Sequence, residues 1–97
     1  PDGYYYLNET RKGFGVVTAT MKVEDGMFTV LKGSICAPTK SEWMPDARKS
    51  ALIENDTLLE DVSCNSPSTA GWVVLGNANN GWTVWKNESG DSIDIYR

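Results

Sequence analysis

The sequence predicts an α+β domain: a small antiparallel sheet, built from an N-terminal hairpin plus C-terminal strands, with two short helices. Three stretches carry the prediction. Residues 16–23 alternate in character, with Val17, Ala19, Met21 and Val23 on one side and Thr18, Thr20 and Lys22 on the other. That period of two marks a half-buried strand. Asp25-Gly26 follows and reads as a hairpin turn. Ser66-Pro67-Ser68 sets a capping hydroxyl directly before a proline, the signature of a helix start.

In chain order, Tyr4 to Leu7 predicts a short first strand and Asn8 to Gly13 a polar turn. Gly26 supplies the positive φ of a three-residue loop, and Met27 to Ile35 returns as a strand. In that register Val23 lies opposite Met27, Met21 opposite Thr29 and Ala19 opposite Leu31. The other face then carries Lys22, Phe28, Val30, Thr18 and Lys32. Residues 37–42 form a loop. Pro45 suits the first turn of a helix. Asp46 favours the dipole there, and Ala47, Ala51 and Leu52 fall on one side of it, with Asn55-Asp56 as its end. Thr57 to Val62 reads as extended. The helix begun at Ser66 runs to about Leu75 and stops at Gly76. Its inward stripe is Ala70, Val73 and Val74, with Trp72 about half a turn away. Residues 82–86 predict a strand with Trp82, Val84 and Lys86 on one face and Thr83 and Trp85 on the other. Ser89-Gly90-Asp91 turns again, and Ile93 to Tyr96 closes the chain as a last strand or helical turn.

The chain's 97 residues fit one domain over 1–97. It begins at Pro1 without a methionine, which points to a fragment of a longer protein, and an accessory domain would fit this. The formal net charge of -4 argues against a strongly electrostatic, sequence-blind nucleic-acid binder. It leaves room for a local basic patch. There is no histidine, so a serine or cysteine nucleophile lacks its usual imidazole base. The two cysteines, Cys36 and Cys64, form no C-x-x-C pair and fall short of a zinc site. They read as two small buried thiols of an intracellular protein or as one disulfide. No S-x-x-K and no phosphate-binding glycine loop occurs, and the 13 acidic residues are scattered, mostly in turns. The expectation is a non-enzymatic domain without cofactor or metal, with no membrane span and a cytoplasmic location.

Binding is the remaining class. The four tryptophans offer large rigid faces for stacking or anchoring. Lys22, Lys32 and Lys86 can line a basic strip on the sheet. The free N–H groups at Ser66 can attract an anion, although capping by Ser66 itself accounts for them more simply.

Five short motifs occur in order: VLKGS at 30–34, SPS at 66–68, VLG at 74–76, NGW at 80–82 and WK at 85–86, with LIENDTLL at 52–59 between the first two. On these, the chain resembles the domain-of-unknown-function 4357 family from about Tyr6 to Ile95. Its SPS…NGW…W half is similar to the RAMA (restriction enzyme and adenine methylase associated) domains. The resemblance implies a non-catalytic domain at the C-terminus of longer bacterial proteins, including GIY-YIG-type nucleases and restriction-modification-like proteins, with a role in reading DNA or modified DNA. The positions matching the motif are Ser66, Ser68, Asn80, Gly81, Trp82, Trp85 and Lys86. Two departures stand out: the bulky Trp72 in a helix where the family favours small residues, and Asp56 where it often has glycine.

These readings combine into two expectations. In the first, Trp82 or Trp85 forms an aromatic wall for nucleic acid, Ser68 and Asn80 supply hydrogen bonds, and Lys86 and Lys32 meet phosphate. In the second, Trp72 and Leu75 form an exposed apolar patch for another protein, another domain of the parent chain or a second copy.

Overall fold

Half-buried alternation builds the sheet on which everything else rests. In the computed structural model, which describes residues 2–96, strand β1 (Gly3–Arg11) pairs with β2 (Gly15–Glu24) along its whole length. β2 pairs with β3 (Met27–Val30), and β3 with β6 (Val62–Cys64). All pairings are antiparallel and the order is β1-β2-β3-β6. Between β3 and β6 lie helix α1 (Asp46–Lys49) and a two-stranded hairpin of β4 (Ile53–Glu54) and β5 (Thr57–Leu58). Helices α2 (Pro67–Leu75) and α3 (Gly81–Val84) follow, then a 3-10 turn at Ile93–Tyr96.

Several sequence expectations need correction. Polar Asn8 and Thr10 do not start a turn. They are the outward half of β1, which continues to Arg11, and the turn is Lys12-Gly13-Phe14. The β2–β3 loop has two residues, not three. Glu24 pairs with Met27, and Asp25 (φ 51) and Gly26 (φ 77) provide the two positive φ angles of a type I′ turn. That single-residue change moves every side chain of β3 to the opposite face. Phe28 and Val30 therefore point inward, with Val30 fully buried, and Met27 turns toward solvent. β3 also ends at Val30 instead of continuing to Ile35.

The helix at Pro45 has one turn only. Asn55 (φ 53) and Asp56 (φ 59) do not end it; they are the central pair of a second I′-like turn joining β4 to β5. Asn and Asp tolerate this left-handed conformation better than most residues. A glycine at the Asp56 position would suit the same turn, so this departure from the family pattern leaves the local geometry intact.

α2 forms as expected. Ser66 Oγ accepts from Thr69 N, Pro67 occupies the first turn, and Gly76 (φ 75) closes the end with its N–H on Trp72 O. The helix is buried from Ala70 through Leu75, not on one stripe. A helix apolar all round must be covered all round. β2, β3 and β6 lie on one side, and α1 and α3 on others. Trp43 packs edge-to-face on Trp72, ring centroids 6.0 Å apart. The expected Trp72–Leu75 docking patch is therefore absent, since the two residues are 7% and 4% exposed. Arg48 donates to Val73 O in the last turn of α2 at 2.6 Å and to Ala37 O in the preceding loop at 2.9 Å.

Residues 82–86 are not a strand. Asn80 Oδ1 accepts from Trp82 N at 3.2 Å, and Asn80 O accepts from the N–H groups of Thr83 and Val84, winding one helical turn. The Trp-Thr-Val-Trp composition favours a strand, but the cap and tertiary packing override it. This turn drops Trp85 into the core with no exposed surface, and its carbonyl accepts from Ile93 N. Burying an indole of about 200 Å² contributes roughly 5 kcal/mol. Cys36 and Cys64 are buried free thiols, not a disulfide. Burial pushes both up to about 11, the Arg48 charge opposing it at Cys36 and Asp56 adding to it. Among the described residues no helix is long and apolar enough to cross a membrane.

Candidate functional site

Six of the eight residues expected to meet nucleic acid gather where α2 and α3 begin, and there their polar groups bond to the chain's own backbone. Ser66 caps α2 through Thr69 N at 3.1 Å. Ser68 Oγ accepts from Gly81 N at 3.0 Å. Trp85 Nε1 donates to Pro67 O at 3.0 Å. Asn79, just before the cap residue Asn80, donates through its amide nitrogen to Ser68 O at 3.1 Å and Asn77 O at 3.2 Å. Gly81 is glycine because its α-carbon sits on the first turn of α2. A Cβ there would overlap the Pro67 carbonyl and the Ser68 nitrogen. Trp82 is half-buried, edge-to-face with Phe28 at 6.4 Å.

At this junction Trp85 cannot form the aromatic wall expected from sequence, and Trp82 is held half-buried against Phe28. Trp85 has no exposed surface. The Ser68 hydroxyl and the Asn80 carbonyl oxygen already accept backbone N–H groups, and breaking such a bond strands a donor at about 1–3 kcal/mol. The Ser66 cap likewise occupies the helix start that an anion would use.

The two lysines lie elsewhere, and they share a surface. The outward side of β1 and β2 carries Tyr4, Tyr6, Asn8 and Thr10 beside Lys22, Thr20, Thr18 and Val16, in that cross-strand order. Tyr4 and Tyr6 are 50% and 38% exposed. Lys86 pairs with Tyr6 at the open edge of β1, exchanging Tyr6 N to Lys86 O at 2.6 Å and Lys86 N to Tyr6 O at 2.9 Å. Directly paired residues point to one face, so the Lys86 side chain joins Tyr6 on the outer face.

Lys32 reaches that face from the other side through a break in the ladder. Leu31 N donates to Thr20 O and Ile35 N to Thr18 O, while Lys32 and Gly33 bulge out between them. Every backbone N–H of the bulge is held. Lys32 N goes to Asp61 Oδ1 at 2.8 Å, Gly33 N (φ 91) to Leu58 O at 2.8 Å, and Ser34 N to Leu31 O at 3.2 Å. Ser34, buried, turns its Oγ back to accept from Thr20 N at 3.1 Å, replacing the carbonyl that the bulge removed. The VLKGS motif thus encodes a rigid bulge with a lysine at its crest. Lys32 borders a shallow depression of about 390 Å³ with Tyr6, Asn8, Thr18 and Thr20.

Lys86, Tyr6, Thr20 and Lys32 therefore form one row across the outer face. Three strand spacings of about 4.8 Å separate its cations by roughly 14 Å. Lys22 pairs with Glu24 at 3.6 Å, whereas among the described residues the side chains of Lys32 and Lys86 make no such ion pair. Sequence reasoning placed Lys22, Lys32 and Lys86 on a strip of the sheet but missed Tyr4 and Tyr6. The signal was present, since both alternate with buried Tyr5 and Leu7. No group of three or more His, Cys, Asp or Glu that could hold a metal ion occurs among the described residues.

The sequence profile of the family described as Domain of unknown function (DUF4357) matches residues 9–97, and the chain belongs to that family. No curated protein and no solved structure matches it.

Proposed function

We propose that this DUF4357 member is a non-catalytic accessory module that holds single-stranded nucleic acid on its outer sheet face. The observation that carries the reading is the row Lys86–Tyr6–Thr20–Lys32, with an unpaired cation at each end and an exposed tyrosine between them. Bases stack on aromatic side chains of such a face only when unpaired from a partner strand. Tyr4 and Tyr6, two residues apart on one side of β1, offer two stacking positions about 7 Å apart. Stacking is worth about 1–3 kcal/mol per base. The lysines meet phosphate, and Asn8, Thr18 and Thr20 offer hydrogen bonds.

Magnitudes set the strength. Two phosphate contacts give a slope of about -1.4 in log K against log salt. The net charge of -4 opposes approach of a polyanion, a repulsion that physiological salt screens beyond a Debye length of about 8 Å. The module is accordingly a weak binder whose avidity comes from a neighbouring domain. A nuclease or restriction-modification-type protein in a bacterial cytoplasm is the context we propose, with the RAMA domains as relatives. Contact with that parent protein is supported by Trp43, which is 66% exposed although it covers Trp72.

The test is anisotropy of a labelled oligothymidine at several salt concentrations. The wild-type chain is expected to bind with the slope above, and Lys32→Ala with Lys86→Ala to flatten it toward zero. Binding that is salt-independent, or unchanged in the double variant, contradicts the reading.

A further inference from the structure

We propose that a second, separate cleft, between the β1–β2 turn and the loop before α1, binds a nucleoside 5′-phosphate. The cleft has a volume of about 350 Å³ and is lined by Arg11, Lys12 and Phe14 from the turn, Lys40 and Ser41 from the loop, and Asn77 beyond α2. That volume lies within the range of small-molecule sites.

Three of the chain's nine cationic side chains border this one cleft, and no carboxylate lines it. In a protein of net charge -4 the local sign is thus reversed. Arg11 is fixed without being neutralised. With the Asn77 amide oxygen turned toward it, that oxygen accepts from Arg11 Nη1 at 3.1 Å and also from Nη2, while the amide nitrogen donates to Ala78 O at 3.2 Å. A neutral partner orients a guanidinium and leaves its full charge for a ligand. The negative end of the α2 dipole lies nearby at Gly76. It amounts to about half a charge, and its last carbonyls are already occupied by Arg48, Ala37 N and Gly76 N. Three full cations outweigh it.

Three cations suit a phosphate dianion better than a carboxylate. Inorganic phosphate alone would leave the half-buried Phe14 ring and most of the volume unfilled, whereas a base and sugar attached to the phosphate would occupy them. A free nucleotide and the 5′-phosphorylated end of a strand share this chemistry. The proposal uses no residue of the outer sheet face and stands apart from the reading given to it.

The experiment is amide chemical-shift titration of the 97-residue chain with 2′-deoxyadenosine 5′-monophosphate, 2′-deoxyadenosine, inorganic phosphate, and a tetranucleotide with and without a 5′-phosphate. The nucleotide is expected to shift Gly13, Phe14, Lys40, Ser41 and Gly76, with the nucleoside and the inorganic ion each at least tenfold weaker. Lys12→Ala with Lys40→Ala, both at exposed positions, should weaken binding at least tenfold, and Lys32→Ala with Lys86→Ala should leave it unchanged. Tighter binding of the 5′-phosphorylated tetranucleotide than of the mononucleotide would identify a strand end as the ligand, and the reverse order a free nucleotide. Inorganic phosphate binding as well as the nucleotide, no shifts at millimolar ligand, or no loss in the Lys12/Lys40 variant would overturn the proposal.

Discussion

The α2–α3 junction and the outer face of the sheet use similar residue types in opposite ways. At the junction, serine, asparagine and tryptophan point at backbone groups of their own chain: Ser68 at Gly81, Asn80 at Trp82, Trp85 at Pro67. On the outer face, tyrosine, threonine and lysine point at solvent, while the β1–β2 pairing and the held bulge at Lys32 fix the backbone beneath them. The first region is closed by its own hydrogen bonds and the second is held open by them. A distinctive motif therefore marks a place where the chain needs those residues, which need not be a place where a ligand does. Substitutions at the junction should cost stability, and substitutions on the outer face should cost binding.

The largest effect belongs to Gly81→Ala. The added methyl has to displace the first turn of α2, since it would fall on the Pro67 and Ser68 backbone. A loss of about 3 kcal/mol or more is expected in urea unfolding. A loss below about 0.5 kcal/mol would mean that the two helix starts are not in contact. Trp85→Phe comes next. It keeps an aromatic ring but removes the indole N–H from Pro67 O and leaves a small void, for about 2–3 kcal/mol. Ser68→Ala strands the Gly81 N–H and should cost about 1–2 kcal/mol, detectable as faster amide exchange at Gly81.

A pH effect belongs to the inner face alone. The folded thiols of Cys36 and Cys64 titrate near 11 against about 9 in an ordinary setting. Raised pKa values favour the neutral thiol in the fold, so this stability is fully present below about pH 9 and is lost as pH rises toward 11. Tyr5 shifts in the same direction through burial. The unfolding midpoint should fall over that window, and both thiols should resist alkylation at pH 8 until the chain is unfolded. The smallest stability effect is expected for Lys32→Ala and Lys86→Ala, within about 0.5 kcal/mol of wild type.

The same contrast governs what the sequence made legible. The strand from Val16 to Val23, its hairpin and the Ser66–Gly76 helix could be read because local chemistry alone specifies them: alternation, Asp-Gly, a serine cap before proline, a closing glycine. The register of β3 could not, because two- and three-residue Asp-Gly loops differ by one residue and only packing of Val30 under α2 decides between them. Residues 82–86 were misread because β-branched and aromatic content outvoted an Asn-Gly start that doubles as a helix cap. At the candidate site, Lys32 was visible in its motif. The bulge that lifts it was not, since it depends on Asp61 and Leu58, which are distant in sequence. Tyr4 and Tyr6 carry a weaker local signal than the tryptophans, two of which the core needs.

If the open face and not the motif-rich junction meets nucleic acid, as proposed, amide shift mapping with a short oligothymidine will show saturable shifts at Tyr4, Tyr6, Asn8, Thr18, Thr20, Lys32 and Lys86, with Ser66 to Thr69 and Asn80 to Trp85 unmoved. Shifts concentrated at the junction, or none at millimolar oligonucleotide and low salt, would contradict it.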